Sequence, residues 1–273
     1  SSLCFAKVPK RAVSAAHFTT EILLSIGAEK QMVGTAYPDN PILPSLKEKY
    51  DKIPILSMKN PTKEQFYAVK PDFLTGWDST VQDKNLGPIK ELEKNGVQVY
   101  IMKSLHSSDI NLVFEDILNY GKIFNLEDNA KKVVNKMKAD LAAVQKKLPK
   151  NKVKVFTYDS GDKTPFVVGG DSIGNTIITL AGGDNIFKNI KKAWADGNWE
   201  KVLVENPDII LIIDYGDQSA ESKFLKEKSP IKDLKAVKNN KFVVIELADI
   251  TAGIRNVDAI KKLAKAFHNI TIK

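Results

Sequence analysis

An α/β fold of two Rossmann-like lobes, each with a mostly parallel sheet and joined by one long α-helix, is what this 273-residue sequence predicts. Three observations predict it. The segments Glu64-Gln65-Phe66-Tyr67-Ala68-Val69-Lys70-Pro71-Asp72 and Glu200-Lys201-Val202-Leu203-Val204-Glu205-Asn206-Pro207-Asp208 share one frame, a Glu followed seven residues later by Pro-Asp and an apolar run. Strand and helix signals alternate in both halves, the pattern of βαβ units. Between the halves runs one long apolar stripe with polar residues around it.

The elements follow in order. Arg11 to Ala15 reads as a strand and Thr19 to Ile26 as a helix, ended by Gly27 as a left-handed cap. Met32 to Ala36 and Ile53 to Leu56 read as the next strands. Glu64 opens a short helix that Pro71 stops, because proline lacks the N–H and clashes one turn back. Phe73 to Trp77 is the strand it feeds, Ile89 to Lys94 a helix capped by Asn95-Gly96, and Val97 to Met102 a strand. Leu126, Ala130, Val133, Val134, Met137, Leu141, Val144 and Leu148 then recur at threes and fours, with Asn125 as a start cap and Pro149 after the end. Such a helix is on the order of 36 Å long, about the width of a domain, which suits a rigid spine joining the two halves, with an ordinary packing helix of one lobe as the alternative. The second half restarts with strands at Val153 to Tyr158 and Phe166 to Gly170, then a helix near Asn175 to Leu180 ending on Gly182. The second Glu-to-Pro-Asp unit follows, then strands Ile209 to Ile213 and Phe242 to Ile245 and a helix Val257 to His268. The predicted boundaries are an amino lobe over 8–124, a linking helix over 125–149 and a carboxyl lobe over 150–273.

Composition narrows the function classes. The chain is 43% hydrophobic and 27% charged, with 41 basic against 33 acidic residues and a formal charge of +8. The lysines are dispersed, so clustered basic and aromatic residues of a nucleic-acid face are not expected. No apolar run is long enough to span a bilayer, and any export signal is expected to lie outside this stretch. Cys4 is the only cysteine, which rules out an intramolecular disulfide. Ser2-Leu3-Cys4 raises lipid attachment at Cys4, against a small buried hydrophobe as the alternative.

In the order Lys10-Arg11-Ala12-Val13-Ser14, Thr19 to Ala28, Val33-Gly34-Thr35, Glu64 with Pro71-Asp72, Ala181 to Phe187, Trp199 to Asp208 and Gly253-Ile254-Arg255, the chain resembles the substrate-binding proteins of ABC importers for ferric siderophores, haem and cobalamin. The match runs from about residue 8 to 268, and Thr35-Ala36-Tyr37-Pro38-Asp39 favours the iron-complex branch. The resemblance implies a ligand held between two lobes, an extracytoplasmic location in the periplasm or at the outer face of the membrane, and a monomer that meets a permease dimer. It also implies that a surface Glu on each lobe, here Glu64 and Glu200, docks onto permease arginines. The plainer alternative is that each Glu favours its helix N-terminus.

In open α/β sheets ligands bind beyond the carboxyl ends of strands. That places His17, Tyr37, Met58, Lys59, Trp77, Lys103 and His106 at the amino-lobe site and Tyr158, Asp159, Trp194, Tyr215 and Arg255 at the carboxyl-lobe site. Aromatics suit a large, partly apolar complex, and Arg or Lys suits the negative charge of an iron chelate. Arg255, one of two arginines, is the leading candidate, with a structural pair to an acidic side chain as its alternative. His17 and His106 are candidate iron ligands, as are phenolates of Tyr37, Tyr158 or Tyr215, with hydrogen bonding as the ordinary role of such a His. The expected ligand is an iron chelate, with no covalently bound cofactor and no catalytic residue. A two-lobed transferase is the rival reading. It requires a phosphate loop, and Gly169-Gly170-Asp171-Ser172-Ile173-Gly174 misses the spacing of both common forms.

Overall fold

The computed structural model describes residues 7–216 and 218–272, so Cys4 lies outside the described residues. Contacts divide the chain into two compact units, one of residues 1–105 and 111–136, the other of residues 106–110 and 137–273.

The first unit holds a five-stranded sheet in the order β3-β2-β1-β4-β5, made of β1 (Ala12–Ala15), β2 (Met32–Ala36), β3 (Ile55–Ser57), β4 (Phe73–Gly76) and β5 (Gln98–Tyr100). All four pairings are parallel. Parallel strands need crossovers, and α1 (His17–Ser25), α2 (Lys47–Asp51), α3 (Lys63–Ala68) and α4 (Ile89–Lys94) supply them. One sheet face packs Val13, Ala15 and Leu74 against Phe66, Leu92 and Val97. The opposite face sets Phe73 edge-on to Phe124 of α5 (Ile110–Phe124), with ring centroids 5.1 Å apart. The central strands β1 and β4 are buried along their whole length, whereas the edge strand β3 leaves Ile55 exposed.

The linking helix is α6 (Glu127–Lys147), shorter at its start than the spacing predicts. Asn125 does not cap it. Asn125 is left-handed, with φ 57°, and closes α5: its N–H donates to Lys122 O, and Leu126 N–H donates to Gly121 O at 2.8 Å. This is the Schellman closure of a preceding helix that the spacing had not resolved. Residues of α6 up to Lys136 belong to the first unit and those from Met137 to the second.

The second unit has the order β11-β10-β6-β7-β9, with β8 paired to β6. Here β6 (Val153–Ser160), β10 (Ile209–Asp214) and β11 (Phe242–Glu246) are parallel, and β8 (Gly183–Asn185) is parallel to β6. The short strands β7 (Phe166–Val168) and β9 (Trp194–Asp196) are antiparallel additions. β7 stops before Gly169 because the next backbone stretch lies too close for side chains. A Cβ on Gly169 or Gly170 would fall 2.1 Å from Lys192 O or 1.9 Å from Lys188 O. Those glycines serve close packing, which accounts for a Gly-rich segment without phosphate-loop spacing. Phe156, Tyr158, Ile210 and Ile212 meet Trp199 and Val202 of α8 (Trp199–Glu205) and Leu225 of α9 (Gln218–Glu227) on one face, alongside Ala236 and Val237 of α10 (Lys235–Lys238). Val155, Leu211 and Ile213, equally buried, point to the other face by the period of two. α7 (Ile173–Leu180) and α11 (Asn256–His268) complete the unit. Gly27 and Gly182 both take the left-handed conformation expected after their helices, at φ 86° and 87°.

Candidate functional site

In the first unit the strand order turns at β1 and β4, with β2 and β3 on one side and β5 on the other. The carboxyl ends of those two strands are the switch point at which ligands of open α/β sheets bind as a rule. Ala15 and Gly76 stand opposite each other there. Gly76 has φ 153°, and a Cβ on it would lie 3.0 Å from Ala15 Cβ, so only glycine allows the close approach. Trp77 follows and meets Phe18 edge-on at 4.7 Å. His17, the first residue of α1, is buried with Nε2 3.2 Å from Glu21 Oε1. Glu21 Oε2 also accepts from Leu43 N–H at 2.9 Å, so His17 is part of an anchor for the chain after β2. A buried hydroxyl knot of Ser14, Thr19 and Thr20, with Thr20 Oγ1 also donating to Ala16 O, fixes the turn that presents His17.

Tyr37 ends β2 in a left-handed conformation at φ 58° and donates its N–H to Ser57 O. Met58 and Lys59 are exposed after β3. Lys103 is exposed and pairs with Glu115 Oε1 at 2.7 Å; that hydrogen bond, and then the carboxylate's charge, raises its pKa. The loop carrying Lys103 is held by a residue that sequence reasoning missed. Asp116, fully buried on α5, accepts from Tyr100 Oη at 2.6 Å, Lys103 N–H at 2.9 Å, Ser104 N–H at 3.0 Å and Ser104 Oγ at 2.5 Å. The signal was present: a carboxylate on the apolar stripe of a helix must find several donors. His106 is exposed and falls in the short stretch that packs with the second unit, where Thr176 Oγ1 donates to Ser108 O at 2.5 Å.

In the second unit Tyr158 lies in an aromatic cluster with Phe156, Trp199 and Phe224, and its hydroxyl donates to Gly161 O at 3.0 Å. Burial raises its pKa, with nearby Asp162 adding to the shift. Asp159 comes next and accepts hydrogen bonds from the hydroxyls of Tyr215 and Ser160. Tyr215, beyond β10, is 58% exposed. Trp194 is on β9 itself and stacks on Phe166 at 5.9 Å with planes 10° apart. Arg255 is only 6% exposed. Its Nη1 pairs with Glu246 Oε2 at 2.7 Å, and Asp249 Oδ1 lies 3.9 Å away. Asn256 stiffens this loop by accepting from Gly253 N–H and donating to the carbonyls of Asp249 and Thr251. Burial raises the pKa of Asp249, while the Glu246 N–H and then the Arg255 charge work against that rise.

The structure therefore joins Trp77 with the turn presenting His17, joins Tyr215 with Asp159, and commits Arg255 to carboxylates. Among the described residues no three His, Cys, Asp or Glu side chains are grouped so as to hold a metal ion.

Glu64 and Glu200 occupy the same place in the two units. Each is the second residue of a short helix and is exposed, with Thr62 capping α3 and Asn198 capping α8. Six residues later Lys70 and Asn206 are both left-handed, at φ 51° and 47°. After the proline, Asp72 accepts from Lys10 and Arg11 N–H at 2.9 Å, and Asp208 accepts from Lys154 N–H at 2.9 Å. The carboxylate thus pins the chain entering the neighbouring strand in each unit. Arg11 donates to Val69 O and Lys70 O, and Lys154 Nζ reaches Glu205, so a cation closes each helix at its carboxyl end.

A family profile described as periplasmic binding protein matches residues 13–247. A periplasmic binding protein from Veillonella parvula is 36% identical, superposes with a TM-score of 0.91, and is matched over 98% of this chain and 94% of its own. A periplasmic heme binding protein of Vibrio cholerae shares the fold at 22% identity and a TM-score of 0.80, over 93% of this chain and 97% of its own. A vitamin B12-binding protein of Photorhabdus laumondii is 22% identical over 205 residues, 75% of this chain and 70% of its own length.

Proposed function

Because the chain belongs to the periplasmic binding protein family, we propose that it is an extracytoplasmic carrier that captures a ferric siderophore or related iron complex and delivers it to an ABC permease dimer. The observation that carries the reading is the matched pair of exposed acids, Glu64 and Glu200, each at the second position of an equivalent helix in its own unit. Neither has an ion-pair partner among the described residues. Two such carboxylates suit two arginines of a symmetric partner, and two contacts fix orientation better than one.

Ligand capture rests on the strand ends. Trp77 and Tyr37 offer aromatic surface in the first unit and Tyr215 does so in the second, while Trp194 adds a half-buried ring on β9 itself, stacked on Phe166. Lys103 and Arg255 supply positive charge, although both already meet carboxylates, so a ligand there would share or displace Glu115 and Glu246. The protein binds without chemistry, and its partner's ATPase supplies the energy of transport. Cobalamin or haem is the second reading, favoured by the relatives named for vitamin B12 and heme binding.

The test is titration of the tryptophan fluorescence with ferric siderophores, haem and cobalamin. Saturable quenching by a ferric siderophore is expected. Saturation by haem or cobalamin alone moves the protein to the second reading, and no saturation with any of the three, or turnover of a substrate, overturns the carrier reading.

A further inference from the structure

Helix α8 carries more than its acid. Leu203 and Val204 stand three and four residues after Glu200, so the helix places all three on one face. Leu203 is 43% exposed and Val204 83%. The opposite face is full, since Trp199 and Val202 are buried in the core of the second unit. Lys201 and Lys154 both pair with Glu205, at 3.8 and 3.1 Å, which leaves the Glu200 carboxylate to solvent. The repeat partner α3 differs. The positions of Leu203 and Val204 fall there on Tyr67 and Ala68, and Tyr67 packs edge-on to Phe66 at 5.1 Å while accepting from Asn95 Nδ2 at 2.9 Å. One unit presents an acid alone, the other an acid flanked by two apolar side chains.

We propose that Glu200, Leu203 and Val204 form a mixed docking surface for the import permease, in which a partner guanidinium pairs with Glu200 and the two apolar side chains fill a nonpolar recess beside it. The second unit then supplies the stronger half of an unequal interface. This rests on the docking reading above. Apolar groups around an ion pair exclude water, which strengthens the pair and concentrates binding energy on few residues. Charge selects the occupant. A chain of +8 would meet an anionic lipid surface through its lysines, not through a face centred on a free carboxylate. A second copy related by a two-fold axis would bring two Glu200 side chains together, a like-charge contact. A basic partner with an apolar recess meets neither objection.

The experiment measures binding of fluorescently labelled protein to membrane vesicles from cells that use it for uptake. The wild type is compared with Leu203→Ser/Val204→Ser, with Val204→Ser alone, and with Glu64→Lys/Glu200→Lys. Serine at both apolar positions is expected to weaken binding about tenfold, with melting temperature and chelate affinity unchanged. Val204→Ser, at the most exposed site, is the deciding arm if the double variant lowers the melting temperature. Wild-type binding by both serine variants, with binding abolished by the charge reversals, overturns the proposal and leaves the docking reading intact. Wild-type binding by the charge reversals as well overturns both. Equal binding to protein-free vesicles of anionic lipid, or a dimeric wild type that the serine variants render monomeric in sedimentation, also overturns it.

Discussion

The Tyr215 hydroxyl donates to Asp159 Oδ1, and Ser160 Oγ donates to Oδ2 at 2.7 Å. Burial raises the Tyr215 pKa, and the hydrogen bond to Asp159 raises it further, because a phenolate would face a carboxylate. A phenol whose folded pKa lies above its unfolded value of about 10 adds stability that is complete below pH 10 and lost as pH climbs through the folded value. Phenolate ligation of iron would have to displace this proton against the charge of Asp159. In an alkaline titration followed by tyrosinate absorbance, Tyr215→Phe is expected to remove signal only from above the ordinary pKa. Loss of signal from below it would show that Asp159 does not hold the proton. Residue type made Tyr215 and Arg255 visible as candidates in the sequence. Their partners, Asp159 and Glu246, were not visible as such, because each pairing spans a separation that folding alone closes.

Helix α5 shows why an element can escape the spacing. Ile110, Val113, Phe114, Ile117, Tyr120 and Phe124 recur at helical intervals, but Asp116 and Asn119 interrupt the buried side with polar groups. Those interruptions are satisfied only in the folded unit, through Tyr100 and the Lys103-Ser104 backbone. Gly121 breaks the stripe for another reason: a Cβ there would lie 2.5 Å from Ala130 Cβ, so α5 and α6 cross at this point. Between the two helices Asn125 holds a left-handed conformation that costs an ordinary L-residue roughly 1–2 kcal/mol. Asn125→Ala is therefore expected to lower unfolding free energy by about 1 kcal/mol in urea, with Asn125→Gly neutral or slightly stabilising. Equal destabilisation by both would show that the Asn side chain, not its backbone conformation, carries the junction. The repeat was legible at this scale because the Glu, the Pro-Asp seven residues on and the apolar run after it are local signals, whereas the caps Thr62 and Asn198 emerged only with the structure. That Asp72 and Asp208 pin the neighbouring strand was not, since Lys10 and Lys154 are more than fifty residues away in the chain.

At the scale of the molecule, each unit has its own sheet and core and the two share α6. Ligand bound only to the folded state at about 100 times its Kd stabilises by about 2.7 kcal/mol. Calorimetry with a saturating ligand is expected to raise the unfolding transition of whichever unit holds candidate residues that contact it. A rise in one transition while another stays put would confine the site to a single unit.

The sequence by itself determined the two-fold α/β organisation and the linking helix, because hydrophobic period, helix caps and prolines act within a few residues and survive without knowledge of the rest of the chain; the family came from the resemblance of ordered motifs and the matches to known proteins. Tertiary structure decided how the candidate side chains are engaged: His17 beside Glu21, Arg255 with Glu246, Tyr158 in an aromatic core, and Val204 left in solvent beside Glu200. Burial and most pairings belong to the assembled chain, where a residue's partners are set by which strands and helices meet.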